Sequence, residues 1–294
     1  MADELEDCSM TTDLGWLASE FPQLLGISPL ALGGQKWVFT CDCPRRGPCV
    51  LKLIRPGAGK YLDREIEAVQ RIRAIRSGNV PQVYEIGSLD SQMGPLVWLL
   101  EQRISGDDLS ELISRGPLDK QAILSLALDL TSAARDAESV NVVHRDIKPK
   151  NTMVDESGKA WLLDFGIARI LDLESKTRTG ALVGPHTPGY SAPEQFRYQK
   201  RQIDGRSDLF AIGVVLYEAV EGLNPFVQGA RDRMEILRRV ECVPLPALDL
   251  PWDEANEFSG FVSSLTQKFP HQRPKNCAAA LNWLHEIVSK LGGS

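Results

Sequence analysis

The chain has 294 residues, of which 43% are apolar and 24% charged, with a formal net charge of -6. That composition can bury a sizeable core, and the acidic balance argues against nucleic acid as the main partner, because neutralising phosphates needs a concentrated basic face. The longest apolar stretch, residues 209–217, is too short to cross a bilayer, and the N-terminus Met-Ala-Asp-Glu is acidic where a signal peptide is basic, so the expected location is the cytoplasm.

In chain order, residues 1–27 read as an N-terminal extension with a short docking helix, from the loosely helical spacing of Leu14, Trp16, Leu17, Phe21, Leu24 and Leu25. Residues 28–101 read as strands around one helix. The strands are K-W-V-F-T, C-V-L-K-L-I, V-Y-E-I-G and L-V-W-L-L, and the helix covers 62–75. A connection at 102–106 leads into 107–294, where helices over 122–137 and 209–220 are separated by Pro117, Pro149, Pro225, Pro270 and Pro274. Strands first and helices after predict an α+β protein of two lobes. Six cysteines are scattered along the chain, and in a reducing compartment they read as free thiols. Cys41, Cys43 and Cys49 fall together across a predicted hairpin turn. A zinc site there needs a fourth ligand, and Cys8 is the nearest candidate. Buried reduced thiols are the other reading.

Two places concentrate chemistry. Asp146, Lys148 and Asn151 share one loop, so carboxylate, ammonium and amide converge on a small volume suited to a transferring phosphate. Capping of turns is the plainer role for any one of them. Lys52 sits in the apolar strand V-L-K, where an ammonium is costly unless paired, so a phosphate and a carboxylate are expected to receive it.

His144-Arg145-Asp146, followed by Lys148 and Asn151, then Asp164-Phe165-Gly166, then Ala192-Pro193-Glu194, resembles the protein kinase family in order and spacing. The resemblance covers about residues 28–290. It implies a small antiparallel β-sheet lobe with one main helix and a larger helical lobe. It also implies that Asp146 orients and deprotonates a substrate hydroxyl, that Lys148 meets the γ-phosphate of ATP, and that Asn151 and Asp164 hold Mg2+. Lys52 then pairs with Glu65 on the following helix, with Glu67 as the alternative. The family's phosphate-covering loop, G-x-G-x-x-G-x-V, is here A-L-G-G-Q-K-W-V. Gly33 and Val38 match, Ala31 and Lys36 replace the first and third glycines, and Gly33 with Gly34 still lets backbone amides approach phosphate. Adenine is placed between Val38 and Val50 above and Met153 below, its edge bonded to backbone near Glu101 to Arg103, with the register open by one residue. Asp208 matches the aspartate that braces the catalytic loop, and Glu194 with Arg273 the buried ion pair.

Within the resemblance, Lys148 and Thr187 favour serine or threonine over tyrosine as acceptor. The Thr187 hydroxyl is expected to bond within the active site. The segments A-P-E-Q and T-R-T-G-A-L-V-G look like bacterial kinases of the eukaryotic type. They imply autophosphorylation at Thr177 or Thr179 with Arg145 receiving the phosphate, although Pro185 and His186 are an insertion relative to the family. The first reading is an active serine/threonine protein kinase acting on protein substrates. A small-molecule kinase and a catalytically silent scaffold are the alternatives, the latter supported only by the altered glycine loop, since Lys52, Asp146 and Asp164 are all present.

Overall fold

The computed structural model describes residues 14–32, 36–54, 69–91, 94–165, 187–197 and 203–292. These fall into two units, one built from the described residues up to 74 and 81–103, the other from 75–80 and 104–292.

In the first unit the period of two decides the layout. Strands β1 (Leu25–Leu32), β2 (Lys36–Cys43), β3 (Gly47–Ile54), β4 (Val83–Ser91) and β5 (Gly94–Gln102) form an antiparallel sheet in the order β1-β2-β3-β5-β4. Alternate residues Trp37, Phe39, Cys41 and Cys43 of β2 turn to one face, where they meet Leu51 and Leu53 of β3 and Leu96 and Leu100 of β5. Helix α1 (Leu14–Glu20) and the turn after it cover that face with Leu17, Phe21 and Leu24. Phe21 lies edge-on to Trp98 at 5.1 Å between ring centroids. Burying three such side chains contributes about 1.5–3 kcal/mol each, so residues 14–24 are part of this core rather than an appendage.

Strand β1 was not evident in the sequence. L-G-I-S-P-L-A-L breaks alternation with Gly26 at φ 60 and with Pro29, both tolerated because β1 is an edge strand with register shifts on either side of Ser28 and Pro29. The other four predicted strands are present. Of the helix predicted over 62–75, residues 69–74 are helical and 55–68 lie outside the described residues.

Among the described residues Cys41, Cys43 and Cys49 are free, buried thiols. Cys41 faces Cys49 across β2 and β3, and both are buried with Cys43 in the apolar cluster under α1. Burial pushes the Cys41 thiol up to about 12. Among the described residues no group of three His, Cys, Asp or Glu side chains is placed to hold a metal ion; Cys8 lies outside them.

The second unit contains a small sheet, β6 (Gly106–Asp108), β7 (Thr152–Asp155) and β8 (Ala160–Leu162), and the helices α2 (Leu109–Ser114), α3 (Lys120–Ser139), α4 (Pro193–Phe196), α5 (Gly205–Glu221), α6 (Arg233–Cys242), α7 (Glu257–Leu265) and α8 (Cys277–Leu291). Side chains of Asp119, Asp204, Asp232 and Asn276 cap α3, α5, α6 and α8 by accepting free N-terminal N–H groups. Helix α5 is buried around almost its whole circumference and packs against α3, α7 and α8. A Cβ at Gly213 would stand 2.6 Å from Thr266 Cγ2, so glycine there sets how closely α5 and the end of α7 approach. Gly222 at φ 75 ends the helix in the left-handed conformation.

Segment 75–80, read from sequence as part of the small lobe, contacts the second unit instead. Asn79 donates from Nδ2 to the Ala160 carbonyl at 2.9 Å, and Leu162 N–H donates to the Asn79 carbonyl at 2.8 Å. Among the described residues no helix is long and apolar enough to cross a membrane.

Candidate active site

Directly paired residues on neighbouring strands share a face. Val38 pairs with Lys52 and Lys52 with Leu99; Thr40 pairs with Val50 and Val50 with Glu101; Lys36 pairs with Ile54, and Ala31 with Val38. Ala31, Lys36, Val38, Val50, Lys52 and Glu101 therefore lie on one face of the sheet, opposite the one covered by α1. Lys52 is buried, and its ammonium forms an ion pair with the Glu101 carboxylate. The carboxylate that a buried lysine demands is thus supplied, among the described residues, from β5. Sequence reasoning enlisted Glu101 only for its backbone, since which residue lies beside Lys52 depends on the β3/β5 register. Gly33, Gly34, Glu65 and Glu67 lie outside the described residues.

In the second unit the loop 144–151 is pinned from below. Asp208, in the first turn of α5, is buried and accepts the backbone N–H groups of His144 at 2.7 Å and Arg145 at 2.8 Å. Burial pushes its carboxyl up to about 6, against the opposing pull of those two donors. His144 Nε2 bonds the Leu163 carbonyl at 2.7 Å and its ring meets Phe165 at 4.6 Å, while Leu163 N–H donates to the Asn151 carbonyl at 2.8 Å. The loop and the segment 163–165 are thereby laced together. Arg145 at φ 67 and Asp164 at φ 61 adopt left-handed backbone that non-glycine residues rarely occupy. For Arg145 the surroundings compensate: Asp208 takes its N–H, and Gln195 donates from Nε2 to its carbonyl at 3.0 Å. Gln195 was missed as a positioning residue; its only signal was its place directly after Ala192-Pro193-Glu194.

Held this way, the loop presents a compact polar cluster. Lys148 Nζ lies 3.0 Å from Asp146 Oδ2 and 3.0 Å from Thr187 Oγ1, and the Thr187 hydroxyl donates to Asp146 Oδ1 at 2.7 Å. Asn151 donates from Nδ2 to the Asp146 carbonyl at 2.9 Å and to Oδ2 at 3.2 Å. Asp146 is a carboxylate already accepting a hydroxyl, with an ammonium alongside, which is the equipment to aim an alcohol and to meet phosphate. With its amide nitrogen committed to Asp146, Asn151 has its oxygen to offer a cation, and Asp164 adds a carboxylate. One or two oxygen ligands from protein suit Mg2+, which keeps water and phosphate for the remainder, so these residues fit that ion. Met153 is half-buried on β7, between Asp108 and Trp161 in register.

Beneath α4, Glu194 and Arg273 form a bidentate pair at 2.7 and 2.9 Å, with side chains no more than 1% exposed. Ser207 Oγ also donates to Glu194, and Arg273 gives two further N–H groups to the Gln267 and Arg206 carbonyls at 2.8 Å each, so four of its five N–H groups are bonded within this cluster. Gly166, Thr177, Thr179, Pro185 and His186 lie outside the described residues.

The family profile described as "Protein kinase domain" matches residues 51–286. Among curated proteins the chain is 34% identical over 169 residues to "Serine/threonine-protein kinase PknB" of Mycobacterium leprae, covering 57% of this chain and 26% of that protein. It is 31% identical over 249 residues to "Probable serine/threonine-protein kinase PkwA" of Thermomonospora curvata, covering 84% and 32%. It is 34% identical over 226 residues to "Serine/threonine-protein kinase RUNKEL" of Arabidopsis thaliana, covering 76% and 16%. The chain thus spans a third or less of the length of these relatives.

Proposed function

Since the chain belongs to the protein kinase family, we infer that it transfers the γ-phosphate of ATP to serine or threonine hydroxyls of protein substrates in the cytoplasm. The observation that supports this best is the Thr187 hydroxyl on Asp146, 2.7 Å from Oδ1, with Lys148 bonded to both. A substrate hydroxyl bonded to Asp146 in the same way is oriented for attack and passes its proton to the carboxylate as the new O–P bond forms and the bond from the γ-phosphorus to the β–γ bridging oxygen breaks, with ADP as the leaving group. Lys148 offsets charge on the transferred group. Asn151 and Asp164 would hold Mg2+, which supplies positive charge to the phosphate oxygens. On the sheet face, Lys52 would meet the remaining phosphates with Glu65 as its helical partner, and Val38, Val50 and Met153 would enclose adenine, with backbone near Glu101 to Arg103 at its edge. Thr177 and Thr179 are the proposed autophosphorylation sites, and Arg145 the receiver of that charge.

A silent scaffold is the reading to exclude. Incubation of the purified protein with γ-labelled ATP, Mg2+ and a mixed protein substrate, followed by phosphoamino-acid analysis, tests it. Label on serine or threonine is the expected result; ATP binding without any transfer would leave the scaffold.

A further inference from the structure

Lys52 lies in the middle of the sheet face that carries Val38, Val50 and Leu99, and Glu101 stands diagonal to it, in register with Val50. The two side chains form an ion pair and are only 10% and 12% exposed. Along β5 the residues on this face run Val97, Leu99, Glu101, the first two buried and apolar. A carboxylate at the third place breaks the apolar alternation. Taking it out of water is costly, and the ammonium of Lys52 offsets that cost. The charge on Glu101 is therefore a specific choice at a position where the strand pattern calls for an apolar side chain.

We propose that Glu101 is an internal competitor for Lys52, a carboxylate that occupies the ammonium which nucleotide phosphates need and so weakens binding of phosphorylated ligands while leaving the nucleoside alone. The proposal rests on the reading that the chain binds ATP. A phosphate that takes Lys52 must displace a neighbouring anion from it and then share the same poorly solvated face with that anion. Both effects oppose binding, and both scale with ligand charge. Adenosine carries no phosphate, makes no claim on Lys52 and feels neither effect. Glu101 acts here through Lys52 and is a positioning residue that sets affinity.

Titration calorimetry of the whole chain with MgATP and, separately, with adenosine tests this on the wild type, Glu101→Gln, Lys52→Met and the double variant. Glu101→Gln is expected to tighten MgATP by about tenfold, since one neighbouring charge in a partly buried setting acts on that scale, and to leave adenosine unchanged. In the Lys52→Met background the same substitution is expected to tighten MgATP by less, because the competition has lost its object and only the repulsion between Glu101 and phosphate remains to be relieved. Unchanged or weakened MgATP binding in Glu101→Gln, or equal tightening of adenosine, overturns the proposal while the wild type still binds MgATP. If no protein in the set binds adenine nucleotide at all, the ATP reading itself falls and the proposal with it. Thermal unfolding of each ligand-free variant checks folding first. Glu101→Leu, which restores the apolar alternation, replaces Glu101→Gln if the latter does not fold, with the same expected direction.

Discussion

Asp146 is the residue whose surroundings say most about its role, because each of its side-chain oxygens is bonded and one accepts a hydroxyl. Asp146→Asn keeps the shape and removes the proton acceptor, so turnover is expected to fall by about 10²- to 10⁴-fold with ATP binding and the unfolding midpoint nearly unchanged, as steady-state kinetics and calorimetry would reveal. Lys36 shares a sheet face with Lys52 and Val38. If it reaches phosphate, Lys36→Ala raises the Michaelis constant for ATP by about tenfold, the worth of one charge-assisted bond; an unchanged constant makes it an ordinary surface lysine. Arg273→Met leaves Glu194 buried without its main partner. A loss of about 3–5 kcal/mol in denaturant unfolding is expected, and Glu194→Leu in the same chain should recover much of it, since removing both charges avoids the orphaned one. The roles of Asp146, Lys148 and Asn151 were legible because they share one short loop, whereas Gln195 was not, since its target carbonyl on Arg145 lies 50 residues away.

Among the elements, α1 carries a consequence that its short length conceals. Seven residues form too few helical bonds to be stable alone, so α1 persists through Leu17, Phe21 and Leu24 packed on the sheet. Phe21→Ala removes the ring that meets Trp98 and is expected to cost about 3–5 kcal/mol, read as a lowered thermal midpoint; a shift within error would show that α1 is dispensable to the sheet. The segment between Asp164 and Glu194 belongs to the same scale. Mass spectrometry after incubation with MgATP is expected to find phosphate on Thr177 or Thr179, and the Thr177→Ala/Thr179→Ala protein to have lower activity, because a phosphate opposite Arg145 can form charge-assisted bonds with it. Phosphate only elsewhere, or full activity in the double variant, defeats that switch. Strands β2 to β5 were readable from alternating or continuous apolar runs, and α3 and α5 from helical period. Strand β1 was not, because Gly26 and Pro29 interrupt its pattern and only its pairing with β2 makes it a strand.

For the molecule as a whole, Asp208 makes one contribution to how stability varies on the acid side. Its carboxyl is raised from 3.8 to about 6, chiefly by burial, so between those values the folded protein holds a proton that the unfolded chain has released. The stability this group contributes is therefore full below about pH 4, declines as pH rises, and is lost above about 6, a change on the order of 3 kcal/mol. The difference in unfolding free energy between wild type and Asp208→Asn, measured from pH 4 to 7, is expected to fall across that window and then level; a flat difference would mean that Asp208 titrates normally. Unaided, the sequence determined the α+β class, the catalytic-loop motif and the family resemblance, since these rest on period and on spacing within single segments. Tertiary structure alone decided that 75–80 joins the second unit, that the cysteines at 41, 43 and 49 pack as buried thiols, and that, among the described residues, Glu101 meets Lys52. Each of those outcomes depends on strand register or on contacts between segments far apart in the chain, and a one-residue slip in register moves every side chain of a strand to the opposite face.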